Sequence, residues 1–253
     1  MAEAFEAEHH NVASRYRPSR SGRFHAADES YEAGILGGLQ SHSPAVEAYR
    51  LVRTNLQYLA VDKPLRSIMI TSGLPGEGKS LTAANLSLSF ANAGKATVLV
   101  DADMRRPVQS ALFGLPNVYG LSAVLAGSCT LHEALQPVPR AKNLWVLPAG
   151  PTPPNPAELL GSRRAQELFA GLANDYEVVI YDTPPPAMVA DPLVLAPQVD
   201  GVILVVSAEN SDYVQSQKAK EALEKVGARI LGVVLNDVPL KQMGYYARYY
   251  RRR

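Results

Sequence analysis

One stretch restricts the possible fold more than any other: residues 68–81, IMITSGLPGEGKSL. An apolar, strand-like run (Ile68, Met69, Ile70) opens into a glycine loop, which ends in Lys79-Ser80 and passes straight into helix formers. Gly73, Gly78, Lys79 and Ser80 satisfy G-x-x-x-x-G-K-[ST], the phosphate-cradling loop of nucleoside triphosphatases. The chemistry requires these residue types. Glycine lets backbone amides approach phosphate oxygens, and a helix starting near Gly78 points the positive end of its dipole at them. Lys79 is spaced to reach β- and γ-phosphates, and Ser80 to offer its hydroxyl to Mg²⁺. Pro75, Gly76 and Glu77 inside the loop, with Leu81 at the head of the helix, complete the candidate nucleotide-binding segment.

The flanking sequence repeats one theme. Residues 97–100 (TVLV) read as a buried strand running into Asp101-Ala102-Asp103. Carboxylates two apart on a strand point to the same side, so both can address a metal ion, its waters, or an attacking hydroxyl. Residues 177–182 (EVVIYD) form another apolar strand, ending in Asp182, the second metal-side signature of such sites. Further strands fall at 143–147, 201–206 and 230–235. They lack polar alternation, as expected when both faces are buried. Helices are expected between them: one running from the loop and stopping at Gly94, one from Asn155-Pro156 to about Leu172, and one over 212–226 closed by Gly227. Residues 108–140 read as short helices and loops. The fold class is therefore α/β, P-loop NTPase-like, with a mainly parallel central sheet and helices on both faces. Asn236 ends the last strand, either as a turn residue or as an amide meeting a nucleotide base.

Ahead of the loop, Ser43-Pro44 caps a helix whose Val46, Tyr49, Val52, Leu56 and Leu59 make one apolar stripe. Glu47, Arg50 and Arg53 make a charged stripe beside it, either a solvated face or a contact for a neighbour. Three regions follow: a disordered tail over 1–42, one domain over 43–240, and a tyrosine-rich tail over 241–253. Tyr245, Tyr246, Tyr249 and Tyr250 are four of the 12 tyrosines, and they stand among basic residues. Phosphorylation, an arginine–aromatic contact with membrane or nucleic acid, and a bland tail all fit that composition. The formal net charge of +1 argues neither for nor against a nucleic-acid partner. The single Cys129 excludes an internal disulfide, and no apolar run approaches the roughly 18–20 residues that span a bilayer. A cytoplasmic location is expected.

Together these motifs resemble the cytoplasmic domain of the bacterial tyrosine kinases. S-G-L-P-G-E-G-K-S at 72–80 is similar to that family's Walker A element, V-L-V-D-A-D-M-R-R-P at 98–107 to its Walker A′, and I-Y-D-T-P-P at 180–185 to its Walker B. Glu47, Arg50 and Arg53 match its E-x-x-R-x-x-R oligomerisation motif, and the likeness covers about 43–253. The resemblance implies an ATP- and Mg²⁺-dependent autokinase that phosphorylates the terminal tyrosines of a neighbour in a ring-shaped homo-oligomer. It implies Lys79 and Ser80 on phosphates and metal, with Asp103 and Asp182 supporting the metal. It makes Asp101 the candidate for orienting or deprotonating the acceptor hydroxyl, with the division of that role between Asp101 and Asp103 left open. It implies, too, a separate transmembrane activator or polysaccharide co-polymerase, an opposing tyrosine phosphatase, a place at the inner face of the membrane, and control of exopolysaccharide export. No nucleic-acid partner is expected. The rival reading is a nucleotide-switched positioning ATPase like the septum-site and partition ATPases. Those carry an additional lysine early in the loop, where this chain has Leu74.

Overall fold

The computed structural model describes residues 43–59 and 64–239. The expectations for both tails, including those for Tyr245, Tyr246, Tyr249 and Tyr250, fall outside the described residues. Seven strands form one sheet: β1 (Ser67–Ser72), β2 (Thr97–Asp101), β3 (Gln136–Pro137), β4 (Leu144–Leu147), β5 (Val178–Asp182), β6 (Gly201–Ser207) and β7 (Ile230–Asn236). Their order is β3-β4-β2-β5-β1-β6-β7, parallel except for the short edge strand β3. This is the mainly parallel sheet expected from the unbroken apolar runs.

Both faces of the sheet are covered, and the pleat sorts the residues. Ile68, Ile70, Leu99 and Ile180 pack into one core with α1 (Pro44–Leu59) and α2 (Lys79–Ala91). Their neighbours Met69, Val98, Val100 and Tyr181 point the other way. That second core takes in α4 (Leu121–Ala126), α6 (Pro156–Leu160), α7 (Arg163–Asp175), α8 (Asp191–Leu195) and α9 (Tyr213–Lys225). The short helices α3 (Gln109–Leu112) and α5 (Leu131–Ala134) fill the 108–140 region. α1 buries Val46 and Leu56 of its stripe, while Leu59, at its last turn, is about half exposed.

Two elements depart from expectation. The single helix expected from Asn155 breaks at Gly161, and Ser162 starts α7 by accepting the Ala165 N–H at 3.1 Å. Asn155 does not cap α6 with its side chain; its amide donates to Glu158 instead. Among the described residues, no helix is long and apolar enough to cross a membrane.

Candidate active site

Strand order brings distant segments to one end of the sheet. β5 lies between β1 and β2, so the loop after β1 meets the carboxyl ends of both. Asp101 and Asp182 are register partners, and Ile70 pairs with Asp182 on the other side. Asp103 lies beyond the strand, not on it. The last ladder bond runs from Ala102 N–H to Asp182 O (2.9 Å), after which the chain turns and Arg106 N–H donates to Asp103 O and Oδ1. Asp103 nevertheless faces the same site.

Lys79 is the hub. Its buried ammonium donates to Asp103 Oδ2 at 2.9 Å, Ser80 Oγ at 3.1 Å and Asp182 Oδ1 at 3.3 Å. Burial alone would lower its pKa, but the charges of Asp182 and Asp103 outweigh it and leave the pKa raised. Asp101 is fully buried. Its Oδ2 accepts the N–H groups of Val108 (3.1 Å) and Gln109 (3.0 Å), while Oδ1 is buried without a partner. Desolvation first, then the charge of Asp182, holds this carboxyl well above the ordinary range, against the opposing pull of Gln109 N–H and Lys79. Three carboxylates converge on one lysine, and Asp101 bears the excess.

The phosphate loop has the shape its glycines allow. Gly76 and Gly78 adopt φ of 85° and 88°, the left-handed region that a side chain disfavours. Pro75 and Gly76 are exposed at the loop's crest, Glu77 is buried beneath it, and Leu81 is half-buried on α2. A Cβ on Gly73 would come within 2.9 Å of Ser216 N, and one on Gly78 within 2.0 Å of Asn236 Nδ2. Asn236 therefore packs behind the loop and donates to Glu77 O at 3.1 Å.

Two contributors were not legible in any motif. The Gln109 amide donates to Asp182 Oδ2 at 2.8 Å and Ser80 O at 3.0 Å, joining the Walker B strand to the phosphate loop. Asp191, fully buried at the start of α8, takes both Nε and Nη2 of Arg105 at 2.7 and 3.0 Å. The only hint of either lay in the Asp191-Pro192 start signal of α8. On α1, Glu47 and Arg50 pair with each other, and Arg53 reaches across to Ser89 O at 2.5 Å on α2. The Ser89 hydroxyl in turn donates to the carbonyl of Tyr49, one turn before, at 3.4 Å.

The donor set suits a small hard cation: carboxylates from Asp103 and Asp182 and the Ser80 hydroxyl, all oxygen. No group of three or more His, Cys, Asp or Glu side chains forms a ready-made metal cage among the described residues. Mg²⁺ is usually held by one or two carboxylates plus phosphate oxygens and water.

Such a loop in such a sheet puts the molecule in the P-loop NTPase class. A ParA-type family model described as the NUBPL iron-transfer P-loop NTPase matches residues 63–242. The relatives are more specific. Tyrosine-protein kinase YwqD of Bacillus subtilis (strain 168) is 44% identical over 218 residues, spanning 86% of this chain and 92% of that protein. The kinase domain of Escherichia coli tyrosine kinase ETK superimposes with a TM-score of 0.77 at 30% identity, covering 90% of this chain and 86% of that domain. The chain belongs to the bacterial tyrosine-protein kinase family. The septum-site-determining protein MinD of Pyrococcus horikoshii, solved with Mg-ADP, is a more distant likeness, with a TM-score of 0.58 at 29% identity over 67% of this chain and 69% of that one.

Proposed function

We propose that this kinase binds ATP with Mg²⁺ and transfers the γ-phosphoryl group to Tyr245, Tyr246, Tyr249 and Tyr250 of a neighbouring copy. The observation that carries the reading is the buried Lys79 ammonium shared by Asp103 and Asp182, with the high-pKa Asp101 beside it. Lys79 leaves these carboxylates for the β- and γ-phosphates when ATP enters, and Ser80, Asp103 and Asp182 would hold Mg²⁺, whose charge would offset that on the phosphate oxygens. The tyrosine oxygen forms a bond to the γ-phosphorus while the bond from phosphorus to the β,γ-bridging oxygen breaks, releasing ADP. The phenolic proton passes to a site carboxylate. Asp101 is the candidate, because a carboxyl held above its ordinary range is a stronger base when ionised. Asn236 offers its side-chain amide to the base.

Copies assemble into a ring through the α1 charges Glu47, Arg50 and Arg53. A transmembrane activator or co-polymerase holds the kinase at the inner face of the membrane, and a tyrosine phosphatase resets the tail. Each phosphate adds about −1.5 to −2 charges. Four add roughly −6 to −8 against the five basic residues of 241–253, so the tail reverses sign and leaves acidic surroundings. The cycle regulates export of an extracellular polysaccharide. Incubating the purified chain with ATP and Mg²⁺ and mapping phosphosites by mass spectrometry tests this reading. Phosphate on the four tyrosines, absent in Lys79→Met, supports it; ATP hydrolysis without phosphotyrosine favours the positioning-ATPase alternative.

A further inference from the structure

A phosphate-binding loop gathers positive potential, yet this one buries a carboxylate inside itself. Glu77 is 1% exposed, and its recorded partners are neutral donors. Oε2 accepts the Leu74 N–H at 2.7 Å, closing the loop across its own crest. Oε1 accepts the Ser211 hydroxyl, which in turn accepts the Ser207 N–H at 2.7 Å. Ser211 sits in the loop between β6 and α9, 134 residues away in sequence. The same wall meets the phosphate loop at two more points: the first turn of α9 behind Gly73, and Asn236 on the Glu77 carbonyl. Ser207 extends the chain of contacts, donating its hydroxyl to Asp237 Oδ2 at 2.9 Å.

We infer that Glu77 is a positioning residue: its buried carboxylate ties the crest of the phosphate loop, at Leu74, to Ser211 of the β6–α9 loop, and so sets the loop's amides for the triphosphate. Its charge is not used in the reaction. Its two oxygens are taken up by the Leu74 N–H and the Ser211 hydroxyl, both neutral donors. A loop held at one end only would sample conformations in which Gly76 and Gly78 leave their left-handed wells, and nucleotide affinity would fall by the fraction of time so spent. The inference rests on the loop being a nucleotide site.

The test measures the dissociation constant of a fluorescent ADP analogue with Mg²⁺, together with the melting temperature, for the full chain and three variants. Glu77→Gln keeps an oxygen for Leu74 N–H and supplies a donor toward Ser211, so its affinity stays within about threefold of the parent. Glu77→Ala loses both ties and binds about tenfold more weakly or worse. Ser211→Ala loses one tie and falls between them. The double variant Glu77→Ala/Ser211→Ala is no weaker than Glu77→Ala alone, because the two groups act through one link. If Glu77→Ala does not fold, Glu77→Gln and Ser211→Ala decide the matter. Glu77→Gln as damaged as Glu77→Ala, or parent affinity in both Glu77→Ala and Ser211→Ala, overturns the assignment. A parent protein that binds no nucleotide overturns the functional reading instead, which separates the two failures.

Discussion

Replacing Asp101 by asparagine should make the nucleotide-free protein more stable while ending phosphotransfer. Three carboxylates (Asp101, Asp103 and Asp182) stand against one ammonium in a buried site, and Asp101 Oδ1 has no partner. Asparagine keeps an oxygen for the N–H groups of Val108 and Gln109 and puts a donor where the carboxylate adds charge. Where the wild-type carboxyl is ionised, removing a buried charge of the surplus sign should gain about 1–3 kcal/mol. For a domain of this size that raises the melting temperature by roughly 3–10 °C. The sign of the pH dependence follows from the raised pKa. Above the ordinary value of 3.8, the folded state holds the Asp101 proton more firmly than the unfolded chain does. Wild-type stability therefore declines as pH rises through the folded pKa, and the variant's does not share that loss. Calorimetric melts over a pH series should show the advantage of Asp101→Asn growing as pH rises through the folded pKa. A variant whose stability relative to wild type does not change with pH across the series would contradict a raised Asp101 pKa. Autophosphorylation should fall by roughly 10²–10⁴ if Asp101 is the proton acceptor.

Other substitutions probe the neighbouring parts. Lys79→Met should retain circular-dichroism helix content but lose detectable phosphotyrosine; an active variant would remove Lys79 from the chemistry. Gly78→Ala combines a left-handed φ with a Cβ 2.0 Å from Asn236 Nδ2, so a loss of more than about 2 kcal/mol by urea melt is expected. Arg105→Ala strips the partner from fully buried Asp191, and since the arginine is itself 43% exposed the cost should be about 1–3 kcal/mol. Asp191→Asn in the same background should recover much of it. Arg50→Ala/Arg53→Ala should reduce the mass of the assembly by light scattering. The loss of Arg53 from Ser89 should also loosen α1 from α2, seen as faster amide exchange along α1.

Most of the sheet could be read from residues, because a strand buried on both faces must be apolar throughout. Val98–Val100, Val178–Ile180 and Val202–Val205 left few alternatives. The phosphate loop was equally legible, since only glycine accepts the φ values at Gly76 and Gly78 without strain. β3 was not legible: Gln136-Pro137 is too short to carry a period, and its antiparallel pairing with Val146 and Trp145 is a tertiary event. The break between α6 and α7 had its signal in Gly161-Ser162, which the continuous run of helix formers around it obscured. Within the site, the aspartates announced themselves as polar ends of apolar strands. Gln109 and the Glu77–Ser211 tie did not, because each joins segments far apart in sequence through groups that fit no spacing rule. Arg53 fell between the two cases. Its place on a charged stripe was plain, but not its reach to Ser89 of its own domain.

The most direct measurement is a phosphosite map of the purified protein after incubation with ATP and Mg²⁺, alongside a variant in which Tyr245, Tyr246, Tyr249 and Tyr250 are all phenylalanine. Phosphotyrosine is expected on the terminal cluster of the parent, with a near-complete loss of phosphate uptake in the variant. Parent-level tyrosine phosphorylation in the variant, or no phosphotyrosine in a parent that still turns over ATP, would contradict it.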